Sequence, residues 1–501
     1  MRKNDSQNTH IRYNDLINKK VLWLVYQHKS FARRYFKAKS LAFVRWIMAK
    51  RLKLLDSGWL MMETPETPMH VGGLMLFQLP ENAPDDYMQS FFQYLLQVDD
   101  VSAPFNQKLQ RVLPFNLDAS WIKDGNFDIE YHVRPSALPK PGRIRELLAL
   151  VSRLHAQRMD QRRPMWECYL IEGIEGNRFA IYSKIHHSMV DGVAATRLMQ
   201  SRMARSADED LPPIWSSEWT KRLPKKEKRS LPMPPSPKEA FQSFSNGAAQ
   251  LVDLLKTPRE SNAKALFQAP KTILNHRVTP ARRFAAQSWP MERIRTVAKG
   301  YHATVNDIVL AMCGGCLRDY LKSYDALPAT PLVAQVPVSV RAADASDDNG
   351  NAISAVQVTL GTDIGNPVDR LRAIQESMHA AKNRLSHMEK ADINAFTVLS
   401  NLPLMLGQAT GLAGRRTTMF NVVISNVPGP KEPLYMHGAK MLANYPVSLI
   451  WHGYAVNMTV HSYVDSLDFG IIACRDTVPR VQRMLDYLED ALAALENHLP
   501  K

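Results

Sequence analysis

Apolar and polar residues recur with two different periods along the chain, which predicts strands and helices in both halves. Residues 71–79 and 178–185 have the patterns of β-strands, while 84–98, 143–159 and 480–499 have amphipathic helical spacing. In the second half, the same patterns predict strands at 332–340, 352–360, 420–425, 455–463 and 468–474 and helices at 305–323, 367–386 and 394–410. Interleaved strands and helices indicate a mixed α/β class.

The patterning is interrupted once. Seven prolines fall between residues 211 and 238, around the basic run KRLPKKEKR. Such a composition is typical of a linker or a surface crossover. We therefore predict an N-terminal domain at 54–210, a linker at 211–240 and a C-terminal domain at 241–501. Residues 1–53 precede the globular pattern as an extension.

Composition narrows the class of protein. The 501 residues are 45% hydrophobic and 22% charged, as in ordinary globular proteins. No run approaches 18 consecutive apolar residues and no secretory leader is recognisable, so neither a membrane-spanning helix nor export is expected. Four cysteines are too few for a disulfide framework, which favours a reducing cytoplasm.

The positive charge is concentrated at the N-terminus. The net charge is +15, and residues 1–53 contribute 14 Lys/Arg against 2 acidic residues, or +12, which leaves +3 for the rest. A globular body so nearly neutral argues against nucleic acid as a partner. Residues 41–55 place apolar residues at helical spacing between Arg and Lys, which suits a helix in an anionic membrane interface. A solvated basic tail, or an upstream start that was never selected for function, explains the composition equally well.

The candidate catalytic residues are concentrated in the segment KIHHSMVDG (184–192). A predicted strand runs into His186 and His187, a short loop follows, and Asp191-Gly192 leads into a predicted helix. A histidine at a strand end can be held rigidly, and its ordinary pKa near 6.5 suits proton transfer at neutral pH. Gly192 permits a tight turn, and Asp191 can orient the loop or hold an arginine. Two adjacent strand residues point to opposite faces and no third ligand is near, so a metal site is not expected.

A second cysteine-containing motif has a simpler interpretation. The CxxC pair Cys313 and Cys316 lies within an apolar helical run, without a second pair or a thioredoxin-like context. We expect both to be core residues.

The pattern HHxxxDG and several further blocks resemble a known family. HHxxxDG is the active-site signature of the CoA-dependent acyltransferase superfamily, and the chain from about residue 54 onward is similar to bacterial wax ester synthase/acyl-CoA:diacylglycerol acyltransferases. The blocks that carry this similarity are METPETPMHVGGLMLF (62–77), MDQRRPMWE (159–167), TVNDIVLA (304–311), VPVSVR (336–341), GNAIS (350–354) and FNVVISNVPGPKEPLY (420–435). Two departures are the extension 1–53 and Met165, where the family commonly has Leu.

The resemblance implies a chloramphenicol-acetyltransferase-like pseudo-dimer of two domains with a tunnel between the halves. It implies a fatty acyl transfer from acyl-CoA to a long-chain alcohol or diacylglycerol, with coenzyme A as part of a substrate and no bound cofactor. His187 would be the general base, His186 would support the geometry, and Asp191 would pair with an arginine, for which we expect Arg341. Both substrates are poorly soluble, so a cytoplasmic enzyme at the inner membrane or at lipid inclusions is expected.

Asn306-Asp307 opens a predicted helix, where Asn or Asp commonly caps, and a role of Asn306 beside the site comes from the resemblance only. A predicted strand and its end carry three further polar residues, Asn421, Ser425 and Asn426. The last three would contact pantetheine or the oxyanion, or would only stabilise the turn before Pro428. Residues 394–413 are apolar and would line the tunnel or form an ordinary buried helix.

Two other functions remain open from the sequence. A carrier-protein-dependent acyl or condensation transferase shares the signature, but no carrier domain is recognisable. A non-catalytic lipid-droplet coat would share the lipid-facing features, but the intact His187 and Asp191 argue against it.

Overall fold

A computed structural model describes most of the chain. The described residues are 50–52, 54–98, 100–110, 119–190, 198–219, 245, 246, 249, 269–339, 353–386, 388, 390–415 and 418–500. The chain divides into two compact units, one containing residues up to 52 together with 109–123, and the other containing 53–108 and 124–501. The predicted interfacial helix at 41–55 falls largely outside the described residues, and within this range Lys50–Arg51 form a strand instead.

The described part of the smaller unit is a short antiparallel pairing. Strand β1 (Lys50–Arg51) pairs with β4 (Ser120–Lys123), and the Leu52 amide donates to the Ala119 carbonyl at 3.0 Å. Strand β3 (Gln107–Gln110) spans the division between the units.

The larger unit contains two six-stranded sheets. The first has the order β12-β13-β2-β7-β6-β5 and the second has the order β10-β9-β11-β14-β15-β8. The strands of the first sheet are β2 (His70–Gln78), β5 (Val133–Ala137), β6 (Trp166–Ile174), β7 (Arg178–His186), β12 (Tyr435–Met436) and β13 (Ala439–Val447). The strands of the second sheet are β8 (Arg282–Pro290), β9 (Val333–Ser339), β10 (Ile353–Thr359), β11 (Val422–Val427), β14 (Val456–Tyr463) and β15 (Ser466–Cys474).

Helices accompany both sheets. In the first half of the larger unit they are α1 (Leu54–Met62), α2 (Tyr87–Leu96), α3 (Ile129–His132) and α4 (Ile144–Ala156). In the second half they are α5 (Met291–Gly300), α6 (Val305–Lys322), α7 (Pro367–Ser386), α8 (Lys390–Ala409) and α9 (Arg483–Asn497). In the described residues, none of these helices is long and apolar enough to cross a bilayer.

The first sheet includes a strand from late in the chain, β13, beside β2. Strand β13 pairs antiparallel with β2, and a buried carboxylate joins it to the second sheet: Asp468 on β15 accepts from the Asn444 amide at 2.8 Å and from the Ser288 hydroxyl at 2.6 Å. Burial raises the pKa of Asp468, against the lowering effect of these donors. The Asp468 side chain therefore links β13 of the first sheet to β8 and β15 of the second. The domain boundary at 211–240 stays a prediction.

Strand β7 is buried on both faces. Phe179 and Ile181 pack in one hydrophobic cluster, and Ala180 and Tyr182 pack in another. Successive side chains of a strand point to opposite faces, so alternate residues of β7 pack in two different hydrophobic clusters.

The structure confirms the mixed α/β class and most of the predicted elements. Helix α7 has the predicted bounds, and β2 and β7 lie within one residue of theirs. Helix α2 begins three residues later than predicted, after Asp86, whose side chain makes no capping hydrogen bond. Both cysteines of the CxxC pair are buried in α6 and unbridged, as expected.

The segment predicted as a linker begins with packed residues. Trp215 and Trp219 are only 4% and 5% exposed, and Trp215 belongs to one of the two hydrophobic clusters. Residues 220–238 lie outside the described part of the chain. The first nine residues of this proline-rich stretch therefore include two buried tryptophans.

Candidate active site

The paired histidines lie at the end of strand β7. His186 is its last residue and stands opposite His70, the first residue of β2. The ladder continues one step further, since the His187 amide donates to the Met69 carbonyl at 2.9 Å. The Met189 amide then turns back to the His186 carbonyl at 2.9 Å. The backbone of both histidines is thus fixed by the sheet, and the chain leaves the sheet immediately after them.

His187 presents a half-buried imidazole. Its ring stacks on the indole of Trp59 in α1, with centroids 4.1 Å apart and planes 28° from parallel. Stacking of this kind restricts rotation of the ring. The geometry gives a histidine that is held on one face and partly accessible.

His186 is fully buried and has a defined proton arrangement. Its Nδ1 accepts from the Ser188 amide at 3.2 Å and lies 2.7 Å from the Ser188 hydroxyl. Because Nδ1 accepts, the ring proton is on Nε2, which faces the Glu63 carboxylate at 3.6 Å. His186 therefore holds the turn that follows it and approaches an acid on its other side.

Glu63, just after α1, anchors this arrangement. Its carboxylate accepts from the Met69 amide at 3.3 Å and from the Gln161 side chain, and Arg158 lies 3.7 Å away. Burial pushes the pKa of Glu63 up, but the His186 ring, the Met69 amide and Arg158 together outweigh burial and hold the pKa below its ordinary value. The carboxylate is thus charged at neutral pH beside His186.

A buried lysine lies two residues before His186. The Lys184 ammonium donates to the carbonyls of Leu154 and Gln157 at the end of α4, at 3.0 and 2.9 Å, and lies 3.1 Å from Glu167 on β6. Its side chain is 0% exposed. Burial lowers the pKa of Lys184, against the raising effect of Glu167. Lys184 thus joins β7 to β6 and to α4.

Two further histidines form an uncharged network beside the site. His70 Nε2 donates to the His155 carbonyl at 2.9 Å, and His155 Nε2 donates to the Ser448 carbonyl at 2.7 Å. The Tyr182 hydroxyl then donates to His155 Nδ1 at 2.7 Å. Burial lowers the pKa of His155 to about 3. These rings are neutral, and their hydrogen bonds reach from the first sheet to the segment after β13.

The structure leaves part of the predicted constellation undescribed. Asp191 and Gly192 lie within 191–197, and Arg341 lies within 340–352, all outside the described residues. The predicted pairing of Asp191 with Arg341 therefore stays a prediction.

The predicted polar residues occupy different environments. Asn421 is buried, and its side chain makes three hydrogen bonds inside the protein, to Pro270, Asn275 and Val333. Both Nδ2 hydrogens of Asn421 are used, so donation from Asn421 to a substrate would require exchange of one of these bonds. Ser425 and Asn426 are half-buried on β11 in the second sheet, and they stay predicted contacts.

Asn306 lies in the first turn of α6. Thr304 is the capping residue, and its hydroxyl and the Asp307 carboxylate satisfy each other's backbone amides. Asn306 is half-buried and does not serve as the cap. Its predicted role beside the site therefore does not compete with helix capping.

In the described part of the chain, no group of three or more His, Cys, Asp or Glu side chains is arranged to hold a metal ion.

Sequence reasoning missed three residues of this site: Trp59, Glu63 and Lys184. Glu63 stands in the block METPETPMHV and Lys184 begins KIHHSMVDG, so both were within the informative segments. Their contacts depend on the pairing of distant strands, which a single sequence does not reveal. Trp59 lies in a short helix for which no pattern was identified.

Comparison with known proteins identifies the family. Residues 52–309 match the wax ester synthase/diacylglycerol acyltransferase catalytic domain, and 349–496 match the WS/DGAT C-terminal domain. The chain is 42% identical over 457 residues to the O-acyltransferase WSD of Acinetobacter baylyi, which covers 89% of this chain and 97% of that protein. It is also 42% identical over 447 residues to a putative diacylglycerol O-acyltransferase of Mycobacterium tuberculosis, covering 88% and 98% of the two chains.

Two solved structures superpose on the chain, one from the same family and one that shares only the fold. The wax ester synthase/diacylglycerol acyltransferase of Marinobacter aquaeolei VT8 superposes with a TM-score of 0.73 at 43% identity, covering 90% of this chain and 99% of that one. The starter condensation domain of rhizomide synthetase superposes with a TM-score of 0.54 at 12% identity, which shows a shared fold alone. The chain belongs to the wax ester synthase/diacylglycerol acyltransferase family and is an acyltransferase with a condensation-domain-like fold.

Proposed function

We propose that this acyltransferase moves a fatty acyl group from acyl-CoA to the hydroxyl of a long-chain alcohol or of diacylglycerol, with His187 as general base. The observation that carries the proposal is the placement of His187, whose amide is bound to the sheet and whose half-buried ring is stacked on Trp59. A positioned imidazole is the group that this reaction needs.

The proposed reaction needs one base and no covalent acyl-enzyme. His187 removes the proton of the alcohol hydroxyl as its oxygen attacks the thioester carbonyl. The tetrahedral intermediate then expels the CoA thiolate, which takes the proton back from the imidazolium. A thioester is already activated, so the enzyme mainly orients the two substrates and excludes water.

His186 and Glu63 are proposed positioning residues. The charged Glu63 carboxylate faces Nε2–H of His186, and the opposite nitrogen of His186 holds the Ser188 amide. This chain of contacts fixes the turn that begins at His187. We further propose that Asp191 pairs with Arg341, that Gly192 permits the turn, and that substrate contacts come from Asn306, Asn421, Ser425 and Asn426.

Water must be kept from the activated thioester. We propose a tunnel between the two halves, as the family resemblance implies. Helix α8, which overlaps the apolar stretch 394–413, contributes Ile393 and Phe396 to the interior. Leu404 and Met405 pack against the core, whereas Leu402 and Leu406 are 42% and 55% exposed. Only one side of this helix is therefore available as a dry wall.

The exposed leucines support a peripheral location at lipid. Leu402, Leu406 and Leu412 are large exposed apolar residues close together in sequence, and the exposed side chains of Lys271 and Arg277 bind carbonyls at 411–415. Apolar and cationic groups side by side suit an anionic lipid surface. We propose that residues 1–53 and this surface dock the enzyme on the inner membrane or on lipid inclusions.

Release of free thiol from palmitoyl-CoA tests the reaction. Release should require an acceptor, and a panel of hexadecanol, shorter alcohols and diacylglycerol gives the acceptor preference. Direct use of acyl-CoA also separates this function from a carrier-dependent transferase.

Substitution of the base tests its role. His187→Ala should lose roughly 10²–10⁴-fold in kcat while remaining folded. His379→Ala is a matched control, because this exposed histidine lies on α7, outside the site. A folded His187→Ala enzyme with near-normal turnover would disprove the mechanism.

A further inference from the structure

The end of helix α1 contacts both histidines of the motif. Trp59 lies in α1, and Glu63 follows it four residues later, a spacing that puts two side chains on one side of a helix. The Trp59 indole stacks on the His187 ring, while the Glu63 carboxylate lies 3.6 Å from Nε2 of His186. An anion therefore faces the first histidine, and an aromatic ring faces the second.

The position of the Trp59 indole is fixed by packing. Trp59 is half-buried and packs against a hydrophobic cluster, and the neighbouring Leu60 is only 4% exposed. Gly58 lets α1 approach α8 closely, because a Cβ atom at this position would lie 3.0 Å from Cε of Met405. Rotation of the indole away from His187 would disrupt this packing.

The proposed reaction places a positive charge on the His187 ring. The ring is neutral before it removes the hydroxyl proton, and it remains an imidazolium until the CoA thiolate takes the proton back. The face of an indole carries negative potential, and it attracts a cation that lies within about 6 Å of the ring centroid. The two centroids are 4.1 Å apart and the planes are 28° from parallel, so the imidazolium forms over the indole face.

We propose that Trp59 is a positioning residue that also stabilises the imidazolium of His187 through the face of its indole; the proposal rests on the function proposed above. The attraction is stronger for an imidazolium than for a neutral imidazole, so it favours the charged intermediate over the bound substrates. An interaction that strengthens along the reaction raises kcat and leaves KM nearly unchanged. A ring that only filled space would not depend on the electron density of the indole.

Substitutions of Trp59 vary the strength of this attraction. Trp59→Leu removes the aromatic face and should lower kcat roughly tenfold, whereas Trp59→Phe keeps a weaker face and should lower kcat roughly threefold. KM for both substrates should change less than about twofold in each variant. Equal losses in the two variants, or losses expressed in KM, would overturn the proposal.

Fluorinated tryptophan tests the electronic effect with little change in packing. Fluorine atoms on the benzo ring withdraw electron density from its face, so mono-, di- and trifluorinated tryptophan weaken the attraction in steps. The protein is produced with each analogue in place of all 9 tryptophans. Thiol release from palmitoyl-CoA with hexadecanol is followed in a single turnover, so that product release does not mask the chemical step. The rate should fall with each fluorine, by roughly fivefold over the series.

Two further backgrounds locate the effect at one residue. In Trp59→Phe the fluorinated series should leave the rate unchanged, because no indole then faces His187. Trp121→Phe, on β4 of the smaller unit, is the matched control and should keep the full dependence on fluorine. A dependence that persists in Trp59→Phe, or that is missing from the natural sequence, overturns the proposal.

The same single-turnover assay separates this proposal from the reaction on which it rests. If a folded His187→Ala protein releases thiol at a near-normal rate, the proposed reaction fails, and the role of Trp59 fails with it. If His187→Ala is inactive and fluorination has no effect on the natural sequence, the reaction stands and only the role of Trp59 is refuted. An inactive His187→Ala protein together with a fluorine dependence that requires Trp59 supports both.

Discussion

Replacement of the buried lysine at the site should destabilise the first sheet more than any surface charge can. Lys184→Met keeps an unbranched apolar stem and removes the ammonium. The change leaves Glu167 without its 3.1 Å partner and the carbonyls of Leu154 and Gln157 without a donor. Glu167 is itself buried, at 7% side-chain exposure, so water does not replace the lost cation.

The structure sets the size of the effect. Removal of one partner from a buried ion pair costs about 3–5 kcal/mol. The Tyr169 hydroxyl still donates to Glu167 at 2.7 Å, and Arg134 remains 3.9 Å away, so we expect the lower end, about 3 kcal/mol. In Lys184→Met/Glu167→Gln the orphan charge is gone, and the two carbonyls alone should cost about 1–2 kcal/mol. The double variant should thus be more stable than the single one.

Native-state amide hydrogen exchange is the suitable assay, because a chain of this size does not unfold in one step. Protection of the β6 and β7 amides should fall roughly 150-fold in Lys184→Met, which corresponds to about 3 kcal/mol. Lys440→Met, at an exposed position of β13 in the same sheet, is the control and should change stability by less than about 0.5 kcal/mol. Unchanged protection in Lys184→Met, or a double variant weaker than the single one, would refute the reasoning.

Three further predictions concern the site and the extension. The pKa of Glu63 is depressed in the folded state, so its carboxylate stabilises the fold above the ordinary pKa, near 4.5, and this stability is lost as the pH falls through the lower folded-state value. Glu63→Gln should therefore flatten the acid limb of a plot of thermal midpoint against pH between about 3 and 6, and an identical limb in the variant would contradict the role. Asp191→Ala should lose activity and about 3–5 kcal/mol of stability, measured by thiol release and urea unfolding, if Arg341 is left unpaired, and full stability would exclude the pairing. Deletion of residues 1–53 should leave thiol release from dispersed substrates intact but weaken flotation with anionic vesicles, and high salt should weaken flotation of the full chain in the same way. Equal flotation of the two proteins would leave the exposed leucines as the anchor.

Elements with a clear period were predictable from the sequence, and elements without one were not. Helix α7 carries its own amphipathic pattern and was predicted to the residue. Strand β6 was missed because its first six residues are all buried, which removes the alternation that marks a half-exposed strand. Strand β13 was missed because its place in the first sheet depends on a pairing with β2 that spans much of the chain.

The site was predictable only as far as its local sequence signature. His187 at a strand end followed from the segment KIHHSMVDG alone. Glu167 and Lys184 stand opposite each other in the β6–β7 register, and no local pattern specifies that register. The burial of Lys184 is likewise a tertiary property, since an isolated strand of the same pattern would present it to solvent.

The two faces of strand β7 carry different kinds of side chain, apolar on one face and hydrogen-bonding on the other. Ile181 and Ile185 pack in one hydrophobic cluster, while Tyr182, Lys184 and His186 make buried hydrogen bonds on the other side. Because side chains alternate strictly, a slip of one residue in the β2–β7 register would exchange the apolar and polar faces of the strand, at a cost that no local change could offset. The buried polar network therefore fixes the register, and the register fixes where the strand ends. That end is the point at which His187 leaves the sheet, so groups that never touch substrate determine the position of the proposed base.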